Sequence, residues 1–157
     1  MTDFHPLTGG CACGALGYRL NARPMFVHCC HCRDCQRQTG SAFVINAIVE
    51  TASIEMLTGD AQPVAVPTDS GKPHLIFRCA QCRIAVWSEY AGLAKLRFVR
   101  VGTLDQPAAL SPDVHIYTRS KLPWVVLPPN VPAFEAYYDA KKLWPQDSLV
   151  RRHAALS

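Results

Sequence analysis

The chain has 157 residues, 49% of them hydrophobic, with eight cysteines and a formal charge of +4. A chain of that length can bury one core without disulfide staples, so metal or redox chemistry accounts for the cysteines better than cross-linking does. Its longest strongly apolar stretch, Ala42 to Val49, is interrupted by Asn46 and falls far short of the roughly 20 residues that span a bilayer, which argues against a membrane helix.

In chain order, the start Met1-Thr2-Asp3-Phe4-His5-Pro6 has neither a basic stretch nor an apolar run. The expectation is therefore no secretory signal and a reducing cytoplasm, where closely spaced thiols read as metal-binding or catalytic groups. Gly9-Gly10 marks a turn, and Cys11-Ala12-Cys13 follows it directly. Short β-like runs then recur at Ala15–Leu20, Met25–Val27, Phe43–Val49, Ile54–Leu57, Val64–Val66, Leu75–Arg78, Ile84–Trp87, Leu96–Val101 and Val114–Thr118. Turn residues such as Thr58-Gly59-Asp60, Ser70-Gly71 and Gly102 separate them. No helices of useful length alternate with these runs, so the pattern predicts a mainly β fold of antiparallel sheets rather than a parallel α/β sheet.

One short helix is expected from Cys32 to Thr39, with Gly40 as a left-handed stop. Pro123, Pro128, Pro129 and Pro132 make the next region loop-like. Beyond it, Phe134–Leu143 and Asp147–Ala155 read as helices, with Pro145 just ahead of the second and Asp147 or Ser148 as its cap. The whole, residues 1–157, reads as a single domain with a C-terminal flap over about 125–157.

The cysteines fall into three groups: Cys11 and Cys13; Cys29, Cys30, Cys32 and Cys35; and Cys79 and Cys82. Zinc takes four ligands tetrahedrally, and a structural site fills all four positions. Alternate residues of an extended segment point to one face, so Cys11 and Cys13 can share an ion. A tight turn after Leu75–Arg78 brings Cys79 and Cys82 to one point, which completes a four-thiol structural site. Cys30, Cys32 and Cys35 remain as three ligands of a second zinc with one position left for substrate, the arrangement of a catalytic site. If that stretch is extended, Cys29 and His31 face the other way, as a buried small hydrophobe and a packing or supporting residue. Other accounts stay open on spacing alone: a redox CxxC, a disulfide framework, one thiol cluster, or two four-cysteine sites that use Cys29. Ionising about seven thiols on two zinc ions takes the formal charge from +4 to about +1. The remaining basic residues are dispersed, so no nucleic-acid partner is expected.

The segments Gly9-Gly10-Cys11-Ala12-Cys13-Gly14-Ala15 and Cys30-His31-Cys32-Arg33-Asp34-Cys35-Gln36-Arg37-Gln38-Thr39-Gly40-Ser41-Ala42-Phe43 resemble the glutathione-dependent formaldehyde-activating enzyme family, which includes centromere protein V. Gly102-Thr103-Leu104-Asp105 and His115-Ile116-Tyr117-Thr118-Arg119-Ser120-Lys121-Leu122-Pro123-Trp124 resemble its later blocks. The resemblance implies a β-tent fold and two zinc ions, one on Cys11, Cys13, Cys79 and Cys82 and one on Cys30, Cys32 and Cys35. It implies carbon-sulfur lyase activity, the interconversion of glutathione plus formaldehyde with S-(hydroxymethyl)glutathione, and hence a small thiol and an aldehyde as partners. Arg83 departs from the family, which usually places glycine after the CxxC pair. An arginine there costs about 1 kcal/mol or forces a modified turn. Arg33, Arg37 and Ser41 are candidate substrate contacts, and Asp34, Ser41 and Glu89 are candidate proton carriers. The competing expectation is a non-catalytic zinc module for a protein or small-thiol partner.

Overall fold

A computed structural model describes residues 4–157. The strands are β1 (Leu7–Gly10), β2 (Gly17–Leu20), β3 (Phe26–Cys30), β4 (Val44–Glu50), β5 (Ile54–Thr58), β6 (Ala61–Ala65), β7 (His74–Cys79), β8 (Ala85–Tyr90), β9 (Leu96–Arg100) and β10 (Val114–Ile116). The helices are α1 (Arg33–Thr39), α2 (Ala140–Leu143) and α3 (Gln146–Leu156). A three-stranded sheet runs β1-β2-β5 and a seven-stranded sheet runs β10-β3-β4-β9-β8-β7-β6. The fold is mainly β, and every expected β-like run overlaps a strand. No helix among the described residues is long and apolar enough to cross a membrane.

Alternation along the central strands explains how the large sheet buries both faces. Val27, Ala47, Val49 and Val99 point toward the small sheet, where they pack with Tyr18 and Leu20. Phe26 and Ile48 point the other way, against Tyr138 and Trp144 of the C-terminal segment. The indole of Trp144 stacks on Phe26 at 5.2 Å between ring centroids, and its Nε1 donates to the Tyr138 hydroxyl at 2.6 Å. That hydroxyl lies 2.6 Å from His28 Nε2, which ties the C-terminal segment to β3.

Four sequence expectations need correction. Gly9-Gly10 is not a turn but the end of β1, paired antiparallel with Tyr18 and Gly17. The absence of a side chain is what lets the chain pass there: a Cβ on Gly9 meets the Thr103 carbonyl oxygen at 2.6 Å and the Tyr18 ring at 2.7 Å. The pairing is also not wholly antiparallel, because β10 runs parallel to β3, with His115 opposite Cys29. Parallel neighbours need a long crossover, and the chain between β3 and β10 contains six strands that provide it. The segment Phe134–Leu143 is helical only from Ala140. Its first half is held extended instead, since His115 N donates to Pro132 O at 2.8 Å, Phe134 N to His115 O at 2.9 Å, and Tyr117 N to Ala136 O at 3.0 Å. Lastly, α3 begins after Pro145 with no side-chain cap, so neither Asp147 nor Ser148 caps it.

Replacing Gly9 by alanine forces Tyr18 and the Thr103 backbone apart at a buried contact. Gly9→Ala is expected to lower unfolding free energy by about 2 kcal/mol in chemical denaturation, the ordinary cost of overpacking a rigid site.

Candidate functional site

The first cysteine group is built from two turns on the small-sheet side. Cys11 and Cys13 do not lie on a strand as the spacing suggested; they occupy the turn after β1. There Cys11 N donates to Leu16 O at 3.0 Å, Leu16 N donates to Cys11 Sγ at 3.3 Å, and Gly14 takes a left-handed φ of 79°. Cys79 ends β7, and the turn from it folds back so that Gln81 N donates to Cys79 Sγ at 3.4 Å and Arg83 N to Cys79 O at 3.1 Å. Arg83 occupies the left-handed region at φ 64°, so this chain keeps the turn geometry that glycine would take. The four sulfurs of Cys11, Cys13, Cys79 and Cys82 lie within 4.8 Å of one another. Two of the separations are 3.5 Å (Cys11 to Cys13) and 3.8 Å (Cys13 to Cys79). With metal-sulfur bonds of ~2.3 Å, the edge of a tetrahedron is about 3.8 Å, so this donor set fits zinc.

The second group lies on the opposite face of the large sheet, where β3 passes into α1. Cys30 is the last residue of β3, Cys32 is the N-cap of α1, and Cys35 is buried in its first turn. The three sulfurs again lie within 4.8 Å of one another. Cys35 N donates to Cys32 Sγ at 3.3 Å, a contact that favours a thiolate at Cys32. Hydrogen bonding among the three splits their acidities. Cys30 is pushed up by its contacts with Cys32 and Cys35, while Cys32 is pushed down by its contacts with Cys30 and Cys35. Thiols packed this closely ionise together only around a cation, which is the electrostatic reason the donor set suits a metal.

Strand alternation sends Cys29 and His31 to the other side, as expected from an extended stretch, and there they meet His115 of β10. All three are buried. His31 Nε2 is 2.9 Å from His115 Nδ1, the length of an N–H···N bond, and Cys29 Sγ is 3.6 Å from the same Nε2. Burial pushes the Cys29 thiol up to about 12, which makes it unreactive, and burial followed by the neighbouring His115 and Lys121 pushes His31 down to about 4.

Of the other residues singled out by sequence, Arg33 and Arg37 are exposed on α1, where Arg33 donates to Gln36 Oε1. Ser41 is exposed just beyond, its N–H donating to Thr39 Oγ1 at 3.2 Å. Asp34 accepts from Asp69 N at 3.1 Å. Glu89 is paired with Arg97 at 2.9 Å. Sequence reasoning missed two buried polar residues beside the second group. Gln36 uses one amide nitrogen to hold His31 O and Ser120 O, each at 2.9 Å, joining α1 to the ends of β3 and β10. Arg100, at 6% exposure, donates to Asn46 Oδ1 and to Gln38 Oε1. The available signal for Arg100 was a second arginine in an otherwise apolar strand, two residues past Phe98, at a position whose parity places it inside.

A family model described as "Glutathione-dependent formaldehyde-activating enzyme" matches residues 6–120. No curated protein matches the chain. Among solved structures, the crystal structure of a Rhodobacter sphaeroides protein shares 17% sequence identity, with a TM-score of 0.48, over 67% of this chain and 91% of that one.

Gln36→Leu removes the amide that serves two buried carbonyl oxygens. Thermal and chemical unfolding are expected to show a loss of about 2 kcal/mol, the penalty for leaving buried acceptors unsatisfied.

Proposed function

Since the chain belongs to the glutathione-dependent formaldehyde-activating enzyme family, we propose that it forms and cleaves S-(hydroxymethyl)glutathione from glutathione and formaldehyde, as a zinc-dependent carbon-sulfur lyase. The observation that carries this reading is the unequal donor count of the two groups: four cysteines in one and three in the other. Four thiolates close a tetrahedral site, whereas three leave a position for a substrate atom. In this proposal Cys11, Cys13, Cys79 and Cys82 hold a structural zinc, and Cys30, Cys32 and Cys35 hold the zinc at which substrate binds. A metal there would lower the pKa of a thiol and hold it in place.

The chain's own residues supply the setting. Cys32 at the N-cap and Cys35 in the first turn of α1 fix two of the three sulfurs to one rigid element, and Cys30 anchors the third to the end of β3, which is paired on both sides within the large sheet. Arg100 donates to Gln38 of α1 at 3.1 Å, the helix whose first turn carries Cys35, and while burial lowers its pKa, the charge of Cys35, Cys30 and Cys32 acts against that shift. In the addition, a carbon-sulfur bond forms, the carbonyl π bond breaks, and the thiol proton passes to the carbonyl oxygen. The reverse step restores thiol and aldehyde. Of the candidate proton carriers, Glu89 is already engaged by Arg97, which leaves Asp34, in the first turn of α1, and Ser41, directly after its Gly40 cap.

Metal analysis is expected to return about two zinc ions per chain, falling to about one in the Cys30→Ser, Cys32→Ser double variant. Exchange between glutathione and formaldehyde, followed by NMR, is expected to be faster with the protein than without it and to fall to the uncatalysed rate in the same variant. Two zinc ions with no acceleration of exchange would sink the catalytic reading and leave a zinc-binding module.

A further inference from the structure

A groove of about 410 Å³ is lined by Arg78, Arg83 and Arg100 together with the apolar side chains of Phe43 and Ile84, and it borders Gln38 and Thr39 at the end of α1, the helix whose first turn carries Cys35. No carboxylate lines it. Among the described residues, none of these arginines forms a salt bridge with an acidic side chain; Arg19, Arg97 and Arg151 form the three that are present. Arg100 is the most telling of the three. It is 6% exposed, its hydrogen-bond acceptors are the neutral Asn46 and Gln38, and its Nε has no partner at all. The thiols of the second cysteine group are the negative groups that act on Arg100; with no carboxylate bound, its fork of donors can serve a further anion.

Arg83 adds an independent observation. It adopts φ 64°, a conformation that strains any side chain and that glycine takes freely, directly after Cys82. Its guanidinium leans on Gln62 Oε1 at 3.4 Å, while Arg78 donates to the Arg83 carbonyl oxygen at 3.0 Å. The strain is thus spent on placing a third positive charge at the rim of a groove that already holds two.

We propose that this groove is a carboxylate subsite, in which Arg78, Arg83 and Arg100 receive the acid end of a thiol substrate whose sulfur reaches Cys30, Cys32 and Cys35, with Arg83 as the residue that sets this chain's preference for acidic thiols. The proposal rests on the functional reading above for the destination of the sulfur, but the groove can be tested without catalysis. A guanidinium-carboxylate contact is the kind of charge-assisted, fork-shaped pairing that arginine makes better than any other side chain, and the apolar wall of Phe43 and Ile84 suits the intervening methylenes.

The test is calorimetric binding of S-methylglutathione, which keeps both carboxylates and has no free thiol, to the zinc-loaded protein. Saturable binding is expected in the wild type, about tenfold weaker in Arg83→Gly, where charge-assisted hydrogen bonds are lost. Because glycine suits φ 64°, Arg83→Gly should keep its zinc and unfold at or above the wild-type temperature, so weakened binding reads the guanidinium and not the fold. Arg78→Gln, which leaves that backbone untouched, is expected to weaken binding similarly. No binding by the wild type, or equal binding by both variants, would overturn the assignment, as would inorganic phosphate binding more tightly than S-methylglutathione. Binding as expected together with unaccelerated formaldehyde exchange would support the groove and count against the lyase reading alone.

Discussion

Strand β3 is the element on which the rest of the molecule depends, because its five residues are all buried and its two faces carry different chemistry. Hydrogen bonding to β4 on one side and β10 on the other leaves it no freedom to rotate. Strict alternation therefore decides which groups meet: His28 and Cys30 face the C-terminal segment, and Val27 and Cys29 face the small sheet. A slip of one residue would exchange Cys29 for Cys30 and empty the second cysteine group of its deepest member. The same strand also receives the C-terminal segment, through the chain of contacts from His28 to Tyr138 to Trp144.

The two cysteine groups differ in how they are held, and the difference suits different tasks. The group of four joins two turns far apart in sequence and lies half open to solvent, with Cys79 its one buried member. Structural zinc sites in small peptides contribute roughly 10–16 kcal/mol of apparent binding energy, so a metal there would secure the small sheet's first turn to the β7–β8 turn. The group of three is set between a strand end and a helix start, backed by the buried Gln36 and Arg100. Two of its members, Cys30 and Cys35, are buried, and Cys32 is half-buried. The proposed function separates an ion that holds the chain, at four donors, from one that meets substrate, at three.

How far the sequence could be read depended on whether local or distant partners set the outcome. Every expected β-like run overlaps a strand, because alternating apolar residues between turn residues are a local signal. Helix α1 was legible for the same reason, with Gly40 closing it at φ 65°. Gly9-Gly10 was misread because glycine signals both a turn and a close approach, and only the positions of Tyr18 and Thr103 distinguish the two. The first half of Phe134–Leu143 was misread because its backbone is claimed by β10 and the residues after it, partners some 20 positions away that outweigh its helical propensity.

By itself, then, the sequence determined the chemistry available: which thiols are spaced to share an ion, which strands form, and the departure at Arg83. Those properties follow from neighbours within a few residues, where spacing and backbone geometry act directly. Only the tertiary structure decided the company those groups keep. It brought His115 to Cys29 and His31, and set Gln36 across the ends of two strands. It also buried Arg100 without an acid and gathered Arg78 and Arg83 around it. These are contacts between segments tens of residues apart, and they depend on strand order and on the parallel pairing of β10 with β3, which no local pattern encodes.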